Sequence, residues 1–221
     1  MSAASRLVPV LLATAGLMLA AAPFMIGAAP YESTMGLVQK IFYFHVPAGM
    51  ITIFSAMVAG VASAVYLARR SRTADHVAVA AAELVVVFGA IVLLTGPLWA
   101  RKAWGVWWDW EARLMSTLVM WMIFVAYLLL RRFGGTGSEM LAAAVGLFGM
   151  VLAPFVYWSV NIWRTLHPTT NVVPSLPPEM MGPFVWSIAA FLLLYTALLL
   201  VRVRIETGRA TIEDAYAVLE D

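Results

Sequence analysis

The sequence predicts an all-α integral membrane protein with six transmembrane helices, both termini cytoplasmic and a tryptophan-rich outer loop. Three observations predict it. Hydrophobic residues fill 63% of the 221 positions and charged residues only 12%, which leaves too little polar surface to cover a soluble globule of this size. Six apolar runs have about the length that a spanning helix needs, roughly 20 residues. Arginines gather at alternate joints between those runs, as they do on the cytoplasmic side of a bilayer. Residues 1–221 are read as a single membrane domain.

The runs follow in order. The first, 7–29, begins after Arg6 and ends in the small residues Ala28 and Ala29, as a signal peptide does. Its uncharged stretch, about 23 residues, exceeds the 7–15-residue core of a signal peptide, so a retained helix is expected. The second, 44–68, closes on Arg69, Arg70 and Arg72; the third covers 77–97. The fourth, 114–130, closes on Arg131 and Arg132 and then Gly134 and Gly135, and the fifth covers 141–162. Pro168, Pro174, Pro177, Pro178 and Pro183 punctuate the approach to the sixth, 184–202. With the N-terminus inside, Arg6, Arg69, Arg70, Arg72, Arg131, Arg132, Arg202, Arg204 and Arg209 are cytoplasmic. Lys40, Arg101, Lys102, Arg113 and Arg164 fall outside, in or beside outer loops near 30–43, 98–113 and 163–183.

Charge and cysteine content exclude several classes. Net charge is +2 and no dense Lys/Arg block marks a nucleic-acid surface. There is no cysteine, so the chain makes no disulfide, thiolate metal site or thioether bond to a cofactor.

Tryptophan is distributed unevenly. Trp99, Trp104, Trp107, Trp108, Trp110, Trp158, Trp163 and Trp186 map at or near the outer interface, Trp121 lies within the fourth run, and none sits at the cytoplasmic edge. An aromatic belt in contact with membrane lipid would populate both edges. If the loop is helical, Trp104, Trp107, Trp108 and Glu111 follow i, i+3, i+4, i+7 spacing and share one face, with Trp110 and Arg113 pointing elsewhere. Such a shelf of indoles suits a large flat apolar ligand: a porphyrin, a quinone ring or a lipid headgroup.

Of three histidines, His45 opens the second run and His167 lies in the third outer loop, while His76 starts the third run on the cytoplasmic side and reads as a surface residue. Imidazole is a common protein ligand to heme iron, and His45 and His167 flank the tryptophan loop in sequence, each with a proline nearby (Pro47, Pro168). Porphyrin propionates call for cations, and Arg113 and Arg101 are the candidates singled out from the outer set. Glu83, two turns into the third run, is within reach of the cytoplasmic surface and reads as a structural or subunit-contact residue rather than a proton relay. The tail after Arg202 is short and charged.

The segment Trp104-Gly-Val-Trp-Trp-Asp-Trp-Glu-Ala-Arg-Leu114 resembles the tryptophan-rich signature of the membrane proteins that handle heme in cytochrome c biogenesis. Phe42-Tyr-Phe-His-Val-Pro-Ala48 and Ser159-Val-Asn-Ile-Trp-Arg-Thr-Leu-His167 are similar to the two histidine-bearing boundaries of one branch, the cytochrome c maturation protein C or heme exporter protein C family. The likeness extends over nearly the whole chain. That family usually has Asp at the position of Glu111 and Thr at the position of Met115. The resemblance implies His45 and His167 as axial ligands to a non-covalently held heme b (iron protoporphyrin IX), with the 104–113 loop as platform. It implies a multi-pass protein of the bacterial inner membrane that presents heme at the periplasmic face and passes it to a membrane-anchored periplasmic heme chaperone. Implied partners are an ABC transporter pair and a small single-helix subunit. An enzymatic alternative is a cytochrome c heme lyase or synthase of the same superfamily, whose members are larger and carry more histidines.

Overall fold

The fold is seen in a computed structural model that describes residues 3–33, 35–135 and 137–220. The side chain of Arg6, counted in the charge balance above, and the terminal Asp221 lie outside the described residues. Six helices are long and apolar enough to cross a membrane: α1 Ala3–Ala28, α2 Phe42–Arg69, α3 Arg72–Ala103, α4 Ala112–Phe133, α5 Ser138–Ile162 and α6 Pro178–Glu220. A 3-10 turn, Leu37–Ile41, leads into α2, and the described residues contain no strand.

Helical conformation is forced where hydrocarbon offers no partner for peptide N–H and C=O groups. The helices overrun the apolar stretches at several ends. α3 begins at Arg72 rather than near 77 and continues to Ala103, so Trp99, Arg101 and Lys102 ride on its last turns instead of in a loop. α6 begins at Pro178 and runs through the charged tail. Counting apolar residues marks hydrocarbon thickness, whereas helices persist through the headgroup region, where charged side chains reach water. Short joints then turn the chain: Arg70 adopts a left-handed conformation (φ 53°) and Ser71 caps α3 by accepting from the Ala74 N–H at 3.3 Å.

Small residues set the packing, because helices in lipid associate by close approach. α2 lies against α3 through Ala56, Ala59, Ala62, Ala78, Ala81 and Ala82, all buried, and Ser55 Oγ donates to the Ala81 carbonyl at 2.8 Å across that seam. α5 joins α2 where Gly60 meets Met150 so closely that a Cβ there would fall 2.1 Å from the methionine Cβ. α4 packs on α5 and α3, with Trp121 Nε1 donating to the Val86 carbonyl at 2.9 Å. α1 stands apart on α6, tied by Trp186 Nε1 to the Met18 carbonyl at 2.9 Å. Trp186 is therefore an anchor between α1 and α6.

Connections 29–36, 104–111 and 163–177 meet at one end of the bundle, and the arginine-rich joints lie at the other. Ion pairs gather at that second end. Arg131 Nη2 meets Asp75 at 2.7 Å with both side chains largely covered, Arg202 grips Glu83 and also Glu206, and Arg72 meets Asp214 at 2.7 Å in the open. Glu83 is thus a structural residue joining α3 to α6. His76 lies at this end too, with Nδ1 3.1 Å from Thr207 Oγ1.

Two outcomes follow. Gly60→Ala drives a methyl group into Met150, an overpacking that costs about 1–3 kcal/mol; a lowered melting temperature in detergent checks it, and an unchanged one would show that α2 and α5 are further apart than described. Arg131→Met leaves the Asp75 carboxylate covered and unpaired, at a cost of roughly 3–5 kcal/mol, and the pair of changes Arg131→Met with Asp75→Leu restores most of the loss in the same assay.

A cavity with two imidazoles at the loop end

Between the three connections lies a cavity of about 780 Å3, continuing downward between α2, α3 and α4 as far as Ile53 and Met120. Its size falls in the range of small-molecule and cofactor sites, roughly 300–1,000 Å3. Both outward histidines line it, together with Trp99, Trp104, Trp108 and Arg113.

His45 projects from the first turn of α2 onto α3. Its Nδ1 lies 2.8 Å from Thr95 Oγ1, and its Cε1 would be 3.4 Å from a Cβ at Gly96, so the absence of a side chain there leaves room for the ring. His167 comes from the 163–177 connection. Its Nδ1 is 2.8 Å from the Pro168 carbonyl, and because a carbonyl only accepts, Nδ1 carries the proton and Nε2 keeps its lone pair. Burial, followed by the positive charge of Arg113, lowers the His167 pKa to about 4; a charge on His45 opposes it as well. Both rings line the one cavity.

Indoles form part of the wall. Trp104 contacts Trp99 edge to face, centroids 4.8 Å apart, and meets His167 at 6.5 Å. The expected helical shelf is not formed: residues 104–111 are irregular, with Gly105 at φ 80°. A cluster of bulky indoles with a glycine needing positive φ is poor helical material. Trp107 and Trp110, 57% and 78% exposed, stay outside the cavity, Trp110 making an edge contact with Trp108 at 6.4 Å.

The charged candidates separate clearly. Arg113 lines the cavity, contrary to the direction that a helical loop would have given it, and donates from Nη1 to the carbonyls of Val156 (2.6 Å) and Tyr157 (3.0 Å). Its Nε and Nη2 hydrogens remain, and no carboxylate lies within ion-pair distance of it among the described residues. Arg101 instead donates to the Gly105 carbonyl and braces the loop from outside. Lys40 donates to the carbonyls of Ile26, Gly27 and Ala29 at 2.8, 2.8 and 3.1 Å, closing the C-terminus of α1. Glu111 is buried and accepts from the Thr165 hydroxyl and from the Leu166 N–H (2.8 Å), while the His167 N–H donates to Thr165 Oγ1 at 2.9 Å. The tryptophan loop is thereby fastened to the segment that bears His167.

Thr95, Gly96 and Thr165 went unnoticed in the sequence. A small polar residue one turn before Trp99, inside an apolar run, is the only signal that Thr95 and Gly96 gave; Thr165 gave none beyond its place two residues before His167. Among the described residues no group of three or more His, Cys, Asp or Glu side chains comes together as a metal site. A bare ion usually takes three or four protein ligands, so a lone imidazole pair on an apolar cavity fits a metal already held by a planar macrocycle.

Comparison with known proteins gives the family. The profile of the family described as heme exporter protein C matches residues 1–217. The heme exporter protein C of Escherichia coli K12 is 37% identical over 174 residues, covering 75% of this chain and 69% of that protein. Those of Bradyrhizobium diazoefficiens and Rhodobacter capsulatus are each 32% identical, covering 93% of this chain and 80% and 88% of the respective relatives. With six spanning helices and bacterial relatives over most of its length, the chain is a multi-pass protein of the bacterial inner membrane and belongs to the heme exporter protein C family.

Proposed function

We propose that the cavity holds iron protoporphyrin IX non-covalently at the periplasmic face and releases it to a membrane-anchored periplasmic heme chaperone. Family membership supports the coarser statement, heme handling for cytochrome c maturation. The observation that carries the finer one is the pair of imidazoles on a single apolar cavity, with no third protein donor among the described residues. Orientation rests on the cations: the arginine-rich joints lie at the end away from the cavity, and that end is cytoplasmic by the inside-positive bias.

Each residue then has a task. His45 and His167 would hold the iron through their Nε2 atoms, and the bound porphyrin would supply the rest of its ligands. Trp99, Trp104 and Trp108 offer indole edges and faces to the macrocycle. Arg113, anchored through Nη1 to α5, has Nε and Nη2 left for a propionate carboxylate, a charge-assisted fork. Glu111 and Thr165 hold the His167 segment in place from behind. Trp107 and Trp110, exposed on the tryptophan loop, offer the surface that an incoming chaperone would meet. An ABC transporter pair and a small single-helix subunit are the partners that the family resemblance implies. On this reading heme is presented rather than conducted: the cavity is built from the loop end, and at the opposite end the Glu83–Arg202 and Asp75–Arg131 pairs join the helices.

Purified protein reconstituted with hemin should show a Soret band that weakens in His45→Ala and in His167→Ala, recovers with added imidazole and disappears in the double variant. Full heme retention by the double variant would remove the ligand assignment. The ring of His167 is held neutral, so in the heme-free protein its NMR signals titrate near pH 4 instead of 6.5. The sign follows: between those values the unfolded chain binds the extra proton, so this group's contribution to stability is complete above about pH 6.5 and is lost as pH falls towards 4. A midpoint near 6.5 would mean that His167 stands in water.

A further inference from the structure

We infer that Thr95 is a positioning residue that fixes the tautomer and direction of His45, so that its Nε2 lone pair faces the cavity. The inference deepens the heme-binding reading and rests on it only where heme retention is measured.

The argument concerns one hydroxyl proton. Thr95 Oγ1 is 2.8 Å from His45 Nδ1 and 2.7 Å from the carbonyl of Ile91, one turn earlier on α3. A hydroxyl has one hydrogen and two lone pairs. The Ile91 carbonyl can only accept, so the hydrogen goes there, as is usual for threonine within a helix. What Oγ1 then offers His45 is a lone pair. Nδ1 must be the protonated nitrogen, and Nε2 is left bare.

Surroundings reinforce the choice. In the other tautomer the lone pair of Nδ1 would face that of Thr95 Oγ1, whose hydrogen is held by Ile91, and losing this bond in a part-buried place costs about 1–3 kcal/mol. Gly96 follows Thr95 directly and leaves the space that the ring occupies, 3.4 Å from where a Cβ would stand. Threonine and glycine together thus form a seat, one setting the hydrogen-bond direction and the other the clearance. The two imidazoles reach the same protonation pattern by different means: His167 through a backbone carbonyl that no substitution removes, His45 through a side chain that one can. Outer-shell partners of this kind usually change metal affinity by 10–100-fold when removed.

The test compares wild type, Thr95→Val and Thr95→Ser, all with 15N-labelled histidine, with His45→Ala used to assign the signals. Long-range 15N–1H correlation on the heme-free protein in detergent reads the tautomers directly. Wild type and Thr95→Ser are expected to show His45 as the Nδ1–H form. Thr95→Val, which keeps the shape but not the acceptor, is expected to move His45 to the Nε2–H form or an exchanging mixture, while His167 stays unchanged as the internal reference. An Nε2–H wild type, an unaltered His45 in Thr95→Val, or a change at His167 of the same size would each overturn the inference. Hemin titration of the same variants then expects about 10–100-fold weaker binding for Thr95→Val and near wild-type binding for Thr95→Ser. If the tautomer follows Thr95 but hemin affinity does not, the role of the hydroxyl stands and the assignment of His45 as a ligand falls.

Discussion

The seam between α2 and α3 determines most of what the rest of the molecule does. Alanines let the two backbones approach along the core, Ser55 crosses to the Ala81 carbonyl, and nearer the loops Thr52 packs over Gly89. Because the seam stays tight up to the loop end, the first turn of α2 presses His45 against the Thr95–Gly96 step of α3. In lipid no hydrophobic force separates one apolar helix face from another, so registry between helices has to come from shape and from the few polar groups that need partners. Gly89 serves a second neighbour as well, since a Cβ there would fall 2.6 Å from Trp121, which brings α4 onto the same pair. One line of small residues therefore positions an imidazole and the helix that carries Arg113.

Across the cavity the arrangement is looser in construction and polar in character. The 163–177 segment has no helix of its own to rest on, and Glu111 supplies the attachment by accepting from Thr165 and Leu166. A carboxylate below the surface is costly unless hydrogen-bonded, and this one has two donors on one oxygen while the other, Oε1, is buried without a partner. By the sequence resemblance a shorter acid is expected at this position. Here the extra methylene does not stop the side chain from reaching the loop.

How much of this was legible in the residues depends on the physics that each feature uses. The six helices were, because apolar length is a property of composition alone. Their ends were not: Trp99 and Arg101 look like loop residues, yet helix and headgroup region coexist, and the chain stays helical to Ala103. His45 and His167 stood out by rarity in an apolar chain, and the structure brings them to one cavity. The tryptophan cluster was visible, but the sharing of roles within it was not, since only an irregular backbone sends Trp104 and Trp108 inward and leaves Trp107 and Trp110 outside. Among the cations the sequence singled out Arg113 and Arg101 together; one borders the cavity and the other braces the loop from outside, a distinction made by tertiary contacts. Thr95 was hidden for the opposite reason, because threonines bonded to their own helix are commonplace.

The length of α6 has a consequence of its own. At 1.5 Å per residue its 43 residues extend roughly 65 Å, about twice the hydrocarbon thickness, so its final turns stand in water beyond the bilayer. Arg72–Asp214 ties this mast to the foot of α3 in the open, whereas Glu83–Arg202 grips it nearer the membrane with both side chains mostly covered. Dissolved ions screen the first contact far more than the second. Rising ionic strength thus frees the protruding half while its root stays fixed.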